Sequence, residues 1–169
     1  MNSIIIDGLA FSLPLFIMAV GGIYSEKSGV TNLALEGLQG FGAFIGALVA
    51  VLAAEKLGGS SSIPFYLALL FAMLGGILFS CIHALLCIRF QADMVISGVV
   101  VNTLAMALTV FLTKQINISH FKAPSDKFVL GVSGKFTVPV LSKIPVLGAV
   151  FTNMYPFELI IVFIAFIAW

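Results

Sequence analysis

Charge is what this chain has least of. Only 9% of its 169 residues are Asp, Glu, Lys or Arg, while 61% are apolar, and the mean hydropathy is +1.20. So few charges cannot clothe a water-soluble globule, so the composition is that of an integral membrane protein. The eight basic residues are scattered and balanced by seven acidic ones. Without a basic patch, a nucleic-acid partner is excluded. Cysteine is scarce as well: Cys81 and Cys87 lie six apart on one apolar run, on different sides of a helix, and imply no disulfide framework. His83 and Cys87 are i, i+4, but two ligands without a third make no metal site, and no metal or cofactor is expected. His83 reads as a packed, hydrogen-bonded histidine. Met1-Asn2-Ser3 lacks the basic start of a signal peptide, so the first apolar run is expected to be retained.

What the chain does have is long runs without charge: Gly8 to Ser25, Gly37 to Ala54, Leu57 to Ile88 and Met94 to Thr113. About 20 apolar residues suffice for one membrane crossing. The expected fold is all-α, a polytopic transmembrane helix bundle with four complete spans plus the start of a fifth. The spans are placed at 4–20 (bent at Pro14), 31–54, 63–88 and 94–113, with an incomplete one at 156–169. A turn through Gly58 to Ser62 and a tight break from Arg89 to Asp93 join them. A long polar loop covers 114–155 and includes the alternating piece Phe136 to Leu141. Eleven residues run from Leu159 to Trp169, about half of a span. The expectation is therefore the N-terminal part of a single membrane domain, ending inside a helix.

Small residues recur every fourth position. Ala68, Ala72, Gly76, Ser80 and Ala84 form one stripe, and Gly42 and Gly46, with Ala43, Ala47, Ala50 and Ala54, form another. Such stripes let backbones approach where lipid gives no hydrophobic drive for pairing, so both read as packing faces. A polar insert interrupts this pattern between Gly21 and Gly37, GGIYSEKSGVTNLALEG. Polar backbone at a helix mouth is tolerated only beside protein or water, which makes it a pathway or hinge candidate. Asn32, Glu36 and Gln39, at i, i+4 and i+7, would share a face of a helix starting near Thr31. Glu36 is then either a carboxylate favoured by the helix N-terminus or part of a polar wall. On the fourth run Gly98, Asn102, Ala105 and Thr109 share a face, and Asn102 is either interhelical glue or a lining residue.

Enzyme signatures fail. Gly131-Val132-Ser133-Gly134-Lys135 has the wrong spacing for a nucleotide-binding loop, and Ser133 sits in the polar loop instead of starting a membrane helix as an intramembrane protease would need. Asn117-Ile118-Ser119 has the form of a glycosylation acceptor, with nothing else to support that setting.

Three segments together resemble the permease subunits of bacterial ABC importers, in the branch that takes up nucleosides and simple sugars. Gly21 to Gly37 is similar to that family's G-G-x-x-S-E-[KR]-[SA]-G-V-x-N signature ending in E-G. Ile82 to Leu112 resembles a stretch with a basic residue, an acidic residue, Ile-Ser-Gly and Asn-x-Leu-Ala in that order, and Leu141 to Ile160 resembles an external loop and the following helix. The resemblance implies a multi-pass protein of the bacterial cell membrane in a translocation path for a small polar solute, most readily a nucleoside. It further implies a second permease subunit, cytoplasmic ATP-binding subunits that carry the hydrolysis, an extracytoplasmic solute-binding lipoprotein and surrounding lipid. It makes Asn32, Glu36, Ser97, Gly98 and Asn102 path candidates beside Gln39, and places the N-terminus outside with Lys27 and Arg89 in cytoplasmic turns. The lysines of the 114–155 loop run against the positive-inside pattern. Other readings are a simple-sugar ABC permease, an ion-coupled secondary carrier and a structural membrane subunit. A carrier would want a titratable group in mid-membrane, which only Glu36 and His83 approach. A structural subunit leaves the segment from Tyr24 to Glu36 without a purpose.

Overall fold

The computed structural model describes residues 2–57 and 63–129, together with Phe163 and Ile167, both helical. The turn at 58–62, the loop beyond Val129 with Phe136 to Leu141, the Gly131 to Lys135 segment, the stretch Leu141 to Ile160 and the incomplete span 156–169 lie outside the described residues, those two positions apart. The chain divides into two units, Met1–Tyr24 with Gly134–Trp169, and Ser25–Ser133.

Helix α1 covers Asn2–Lys27 and runs without interruption through Pro14. It begins two residues earlier than expected and outlasts Val20 by one and a half to two turns, so Gly21 to Lys27 of the polar insert are helical. The true stop lies further on, at Ser28-Gly29. Gly29 takes φ of 82°, its N–H donates to Glu26 O (2.9 Å), and Val30 N–H donates to Ser25 O (3.1 Å). These are the two crossed bonds of a Schellman cap, with Gly in the left-handed position that side chains disfavour. Ser28 Oγ donates to Ser25 O, and Ser25 Oγ donates to Val30 O. The S-E-K-S-G-V part of the insert is therefore a helix terminator.

That cap makes a signed prediction. A Cβ at Gly29 would meet nothing within 4 Å, so Gly29→Ala should cost backbone strain alone, about 1–2 kcal/mol. Gly21 is also uncrowded but helical, so Gly21→Ala should stabilise by about 0.5–1 kcal/mol. Thermal unfolding of the detergent-solubilised protein should show midpoints moving in opposite directions. Equal shifts would overturn the cap.

The second unit holds the bundle: α2 (Leu35–Leu57), α3 (Ile63–Ala84), a π turn (Leu85–Arg89) and α4 (Met94–Ser119). Among the described residues there is no strand, and three helices are long and apolar enough to cross a membrane, 35–57, 63–89 and 94–119. Helix limits depart from expectation where polar side chains intervene. Asn32 Oδ1 accepts from Ala34 N–H at 2.9 Å, an Asx turn that holds residues 32–34 off the helix, so α2 starts at Leu35 instead of Thr31. It also ends three residues later, at Leu57. The third span does not stay α-helical to Ile88 but relaxes into the π turn, closed by Phe90 N–H on Leu85 O. Asp93 then caps α4, accepting from Val95 and Ile96 N–H. α4 passes Thr113 by six residues because buried Asn117 organises its end. Asn117 Nδ2 donates to Ser125 O (2.7 Å) and Lys127 O (3.1 Å), and the Asn117 backbone carbonyl accepts from Ala123 N–H. Tied down this way and only 4% exposed, Asn117 is no glycan acceptor.

α2 packs along α3 and crosses α4. A small core of Ala34, Phe79, Val101 and Ala105 forms between them, flanked by Leu38, Phe41, Leu86 and Leu108. Phe41 stacks on Phe79 with centroids 4.3 Å apart.

Candidate functional site

The non-helical segment before α2 lies against α4 inside the bundle. Gly98 is buried because Leu33 and Ala34 occupy the space its side chain would take: a Cβ there would stand 2.9 Å from Leu33 Cβ and 3.1 Å from Ala34 N. One turn further along α4, Asn102 spans the start of α2. Its Oδ1 accepts from Gly37 N–H at 2.7 Å, and its Nδ2 donates to Leu33 O at 2.7 Å. Gly37 must be bare for this, since a Cβ would fall 2.7 Å from Asn102 Oδ1 and 2.8 Å from Asn102 Cα. A side chain of α4 thus caps α2 in trans, supplying the partner that an orphan first-turn N–H needs. At 1.5 Å per residue, Gly98 and Asn102 lie about 6 and 12 Å from the α4 start. Irregular backbone at such a depth requires polar partners or a cavity beside it.

A cavity is there. It has a volume of about 190 Å³ and is lined by Glu36, Gly37 and Gly40 of α2 and by Asn102, Ala105, Met106 and Thr109 of α4. Glu36 is exposed, in the first turn of α2. Thr109 Oγ1 donates to Met106 O at 3.0 Å.

The six path candidates separate. Glu36 and Asn102 meet at the cavity. Asn32 forms the Asx turn, not the first position of a helical face, so the i, i+4, i+7 stacking with Glu36 and Gln39 does not exist. Gln39 is half-buried and off the lining. Gly98 is closed over by the linker. Ser97 is 3% exposed, and its Oγ pairs with His83 Nδ1 at 2.9 Å, tying α3 to α4. Cys87 Sγ stands 3.9 Å from the same nitrogen. No group of three potential metal ligands occurs among the described residues.

The small residues separate too. A Cβ at Gly42 would stand 2.7 Å from Ala72 O, and one at Gly46 would stand 2.8 Å from Ala68 O and 2.9 Å from Ala72 Cβ. Gly76 has looser surroundings, with Leu38 O at 3.6 Å. Ser80 turns its hydroxyl back to Ile77 O, and Ala84 is exposed. Gly75, outside the expected stripe, is the tighter contact, facing Ile45 at 2.9 Å. Gly40 and Met106 were not anticipated as lining residues, and Gly37 only as the end of the polar insert. The shared face of Asn102, Ala105 and Thr109 was readable, but the residues opposite it carry no periodic signal.

Comparison with known proteins bears on what such a bundle does. The chain is 41% identical over 162 residues to the guanosine ABC transporter permease protein NupQ of Bacillus subtilis, covering 95% of this chain and 49% of that protein. It is 36% identical over 175 residues to the nucleoside ABC transporter permease protein NupC of Lactococcus lactis, covering 98% and 50%. It spans about half the length of these relatives. No solved structure matches. Residues 4–169 match the family described as branched-chain amino acid transport system / permease component, and by that match and these relatives, with which its bundle of apolar helices agrees, the chain belongs to that permease family.

Proposed function

We propose that this chain forms part of the membrane permease subunit of an ATP-driven importer and lines the path of a nucleoside. The observation that carries the path reading is the cavity between α2 and α4, where an unwound linker and three polar side chains, Glu36, Asn102 and Thr109, meet in a bundle otherwise built of apolar helices. The nucleoside assignment is supported by the relatives' names and rests on them. In this reading α1 is a fourth span in addition to α2, α3 and α4, the 156–169 segment begins a fifth, and the protein is multi-pass in the cell membrane. ATP is hydrolysed by separate cytoplasmic subunits, a second permease subunit completes the path, and an extracytoplasmic binding protein delivers the solute.

The test is uptake of labelled guanosine, adenosine and ribose by cells that lack other nucleoside uptake and express the whole importer. Saturable nucleoside uptake that survives a protonophore and disappears when the ATP-binding subunit is inactivated is the expected result. Uptake abolished by the protonophore with ATP maintained would favour an ion-coupled carrier, and uptake of ribose alone would favour a sugar permease.

A further inference from the structure

The polar atoms around the cavity are not evenly divided between donors and acceptors. A helix start ordinarily presents free N–H groups and a positive dipole end, and so draws anions. At α2 part of that capacity is spent, with Gly37 N–H engaged by Asn102 and Ala34 N–H, just before the helix, by Asn32, while Leu38 N–H makes the first helical bond to Ala34 O; the N–H groups of Leu35 and Glu36 remain. Glu36 adds a carboxylate to the same turn. The side-chain capacity left facing the cavity can then be counted by atom. The Glu36 carboxylate only accepts, and it has no hydrogen-bond or ion-pair partner among the described residues. Thr109 has given its proton to Met106 O, which leaves lone pairs. Asn102 has one amide hydrogen on Leu33 O, and its second is the one side-chain donor left on the lining. The remaining surface, from Gly37, Gly40, Ala105 and Met106, is apolar or backbone.

We infer that this cavity is an acceptor-rich subsite that takes a neutral, hydrogen-bond-donating group, and that Glu36 acts there as a charge filter against phosphorylated solutes. The inference rests on the nucleoside-permease reading and deepens it. The volume of about 190 Å³ falls short of the roughly 300 Å³ at which pockets begin to enclose a drug-sized ligand. The subsite therefore holds one ring of the solute, either the hydroxyl-bearing sugar or the N–H edge of a base. Both are donors to a carboxylate, whereas a phosphate would face it as a like charge. Discrimination between a nucleoside and its monophosphate is thus built into the membrane subunit, in addition to whatever the binding protein selects.

The experiment uses the purified assembled importer in lipid nanodiscs without its binding protein, so that selection upstream is absent. Cys81 and Cys87 are replaced by serine, and Met106→Cys is labelled with a maleimide. Guanosine should slow labelling, and guanosine monophosphate should need at least about tenfold more to do so. Glu36→Gln should largely erase that gap, and Glu36→Asp should restore it. Free guanine and ribose tested separately assign the ring, and protection by either supports the subsite. Equal protection by nucleoside and monophosphate in the unsubstituted protein, or a gap untouched by Glu36→Gln, overturns the filter. Nucleoside uptake by the intact importer is measured in parallel. If uptake is normal and no solute protects, the subsite fails alone, whereas absent uptake defeats the functional reading itself.

Discussion

Asn102→Leu is expected to destabilise the permease by about 1–3 kcal/mol and to lower nucleoside uptake by on the order of tenfold. The carboxamide makes two bonds of 2.7 Å, one to Gly37 N–H and one to Leu33 O, and leucine makes neither. Gly37 is buried and Leu33 is 45% exposed, so the cost of about 1–3 kcal/mol for an orphaned buried group by the water reference falls on the Gly37 N–H. Interhelical bonds in bilayers average only about 0.6 kcal/mol, with a ceiling near 1.7, because the inserted but unpacked helices find other partners. Two such bonds lost together give the range quoted. The loss falls on the linker and not on α4, so the transport defect should exceed what stability alone explains: residues 33–37 lose their fixed position, and the cavity wall moves with them.

A neighbouring position supplies the contrast. Thr103 is exposed, and its hydroxyl bonds back to Val99 O on its own helix, so Thr103→Leu should stay within about 0.5 kcal/mol of the parent. Thermal midpoints in detergent, membrane abundance and uptake rates would be measured on both. A lowered midpoint with normal uptake would reduce Asn102 to a structural clamp. Lowered uptake with an unchanged midpoint would contradict the trans-cap.

The existence of helices was legible because runs without charge report burial in lipid whatever packs against them. Their ends were less so. Thr31 and Thr113 looked like natural limits because polar residues follow or precede apolar ones there. The actual limits are set by where the side chains of Asn32 and Asn117 spend their hydrogen bonds, on Ala34 N–H in one case and on Ser125 and Lys127 carbonyls in the other. The π turn at Leu85–Arg89 has no compositional mark. At the site, Asn102 and Glu36 stood out as polar residues in apolar surroundings, but the pairing of Asn102 with Gly37 joins positions 65 apart in sequence, and periodicity within one helix says nothing about its partner. Ser97 was a path candidate through the resemblance of its segment alone. Helix rotation instead turns it to His83, a residue whose hydrogen bonding was expected but whose partner was not.

The glycines of the α2–α3 interface should carry the other large effect. Gly42→Ala and Gly46→Ala each place a methyl under 3.0 Å from a carbonyl oxygen of α3, Ala72 O for one and Ala68 O for the other. Backbone cannot swing aside as the end of a long side chain can, so the helices must separate, at a cost of about 1–3 kcal/mol for each substitution. The two glycines are one turn apart on the same seam, so the separation forced by one makes room for the other, and the double variant should lose less than the sum. Gly75 and Gly76 sharpen the test. The stripe of small residues puts Gly76 on the packing face, yet a methyl there would meet Leu38 O at an ordinary 3.6 Å. At Gly75 it would meet the branched Ile45 at 2.9 Å. Gly75→Ala should therefore be the more damaging, and Gly76→Ala should be neutral or stabilising by up to about 0.5–1 kcal/mol through the helix preference of alanine. Midpoints for the four single variants and the Gly42/Gly46 double variant decide it. If Gly76→Ala proved worse than Gly75→Ala, α3 would have to be rotated about its axis relative to α2, and with it the bond from His83 to Ser97 that joins α3 to α4.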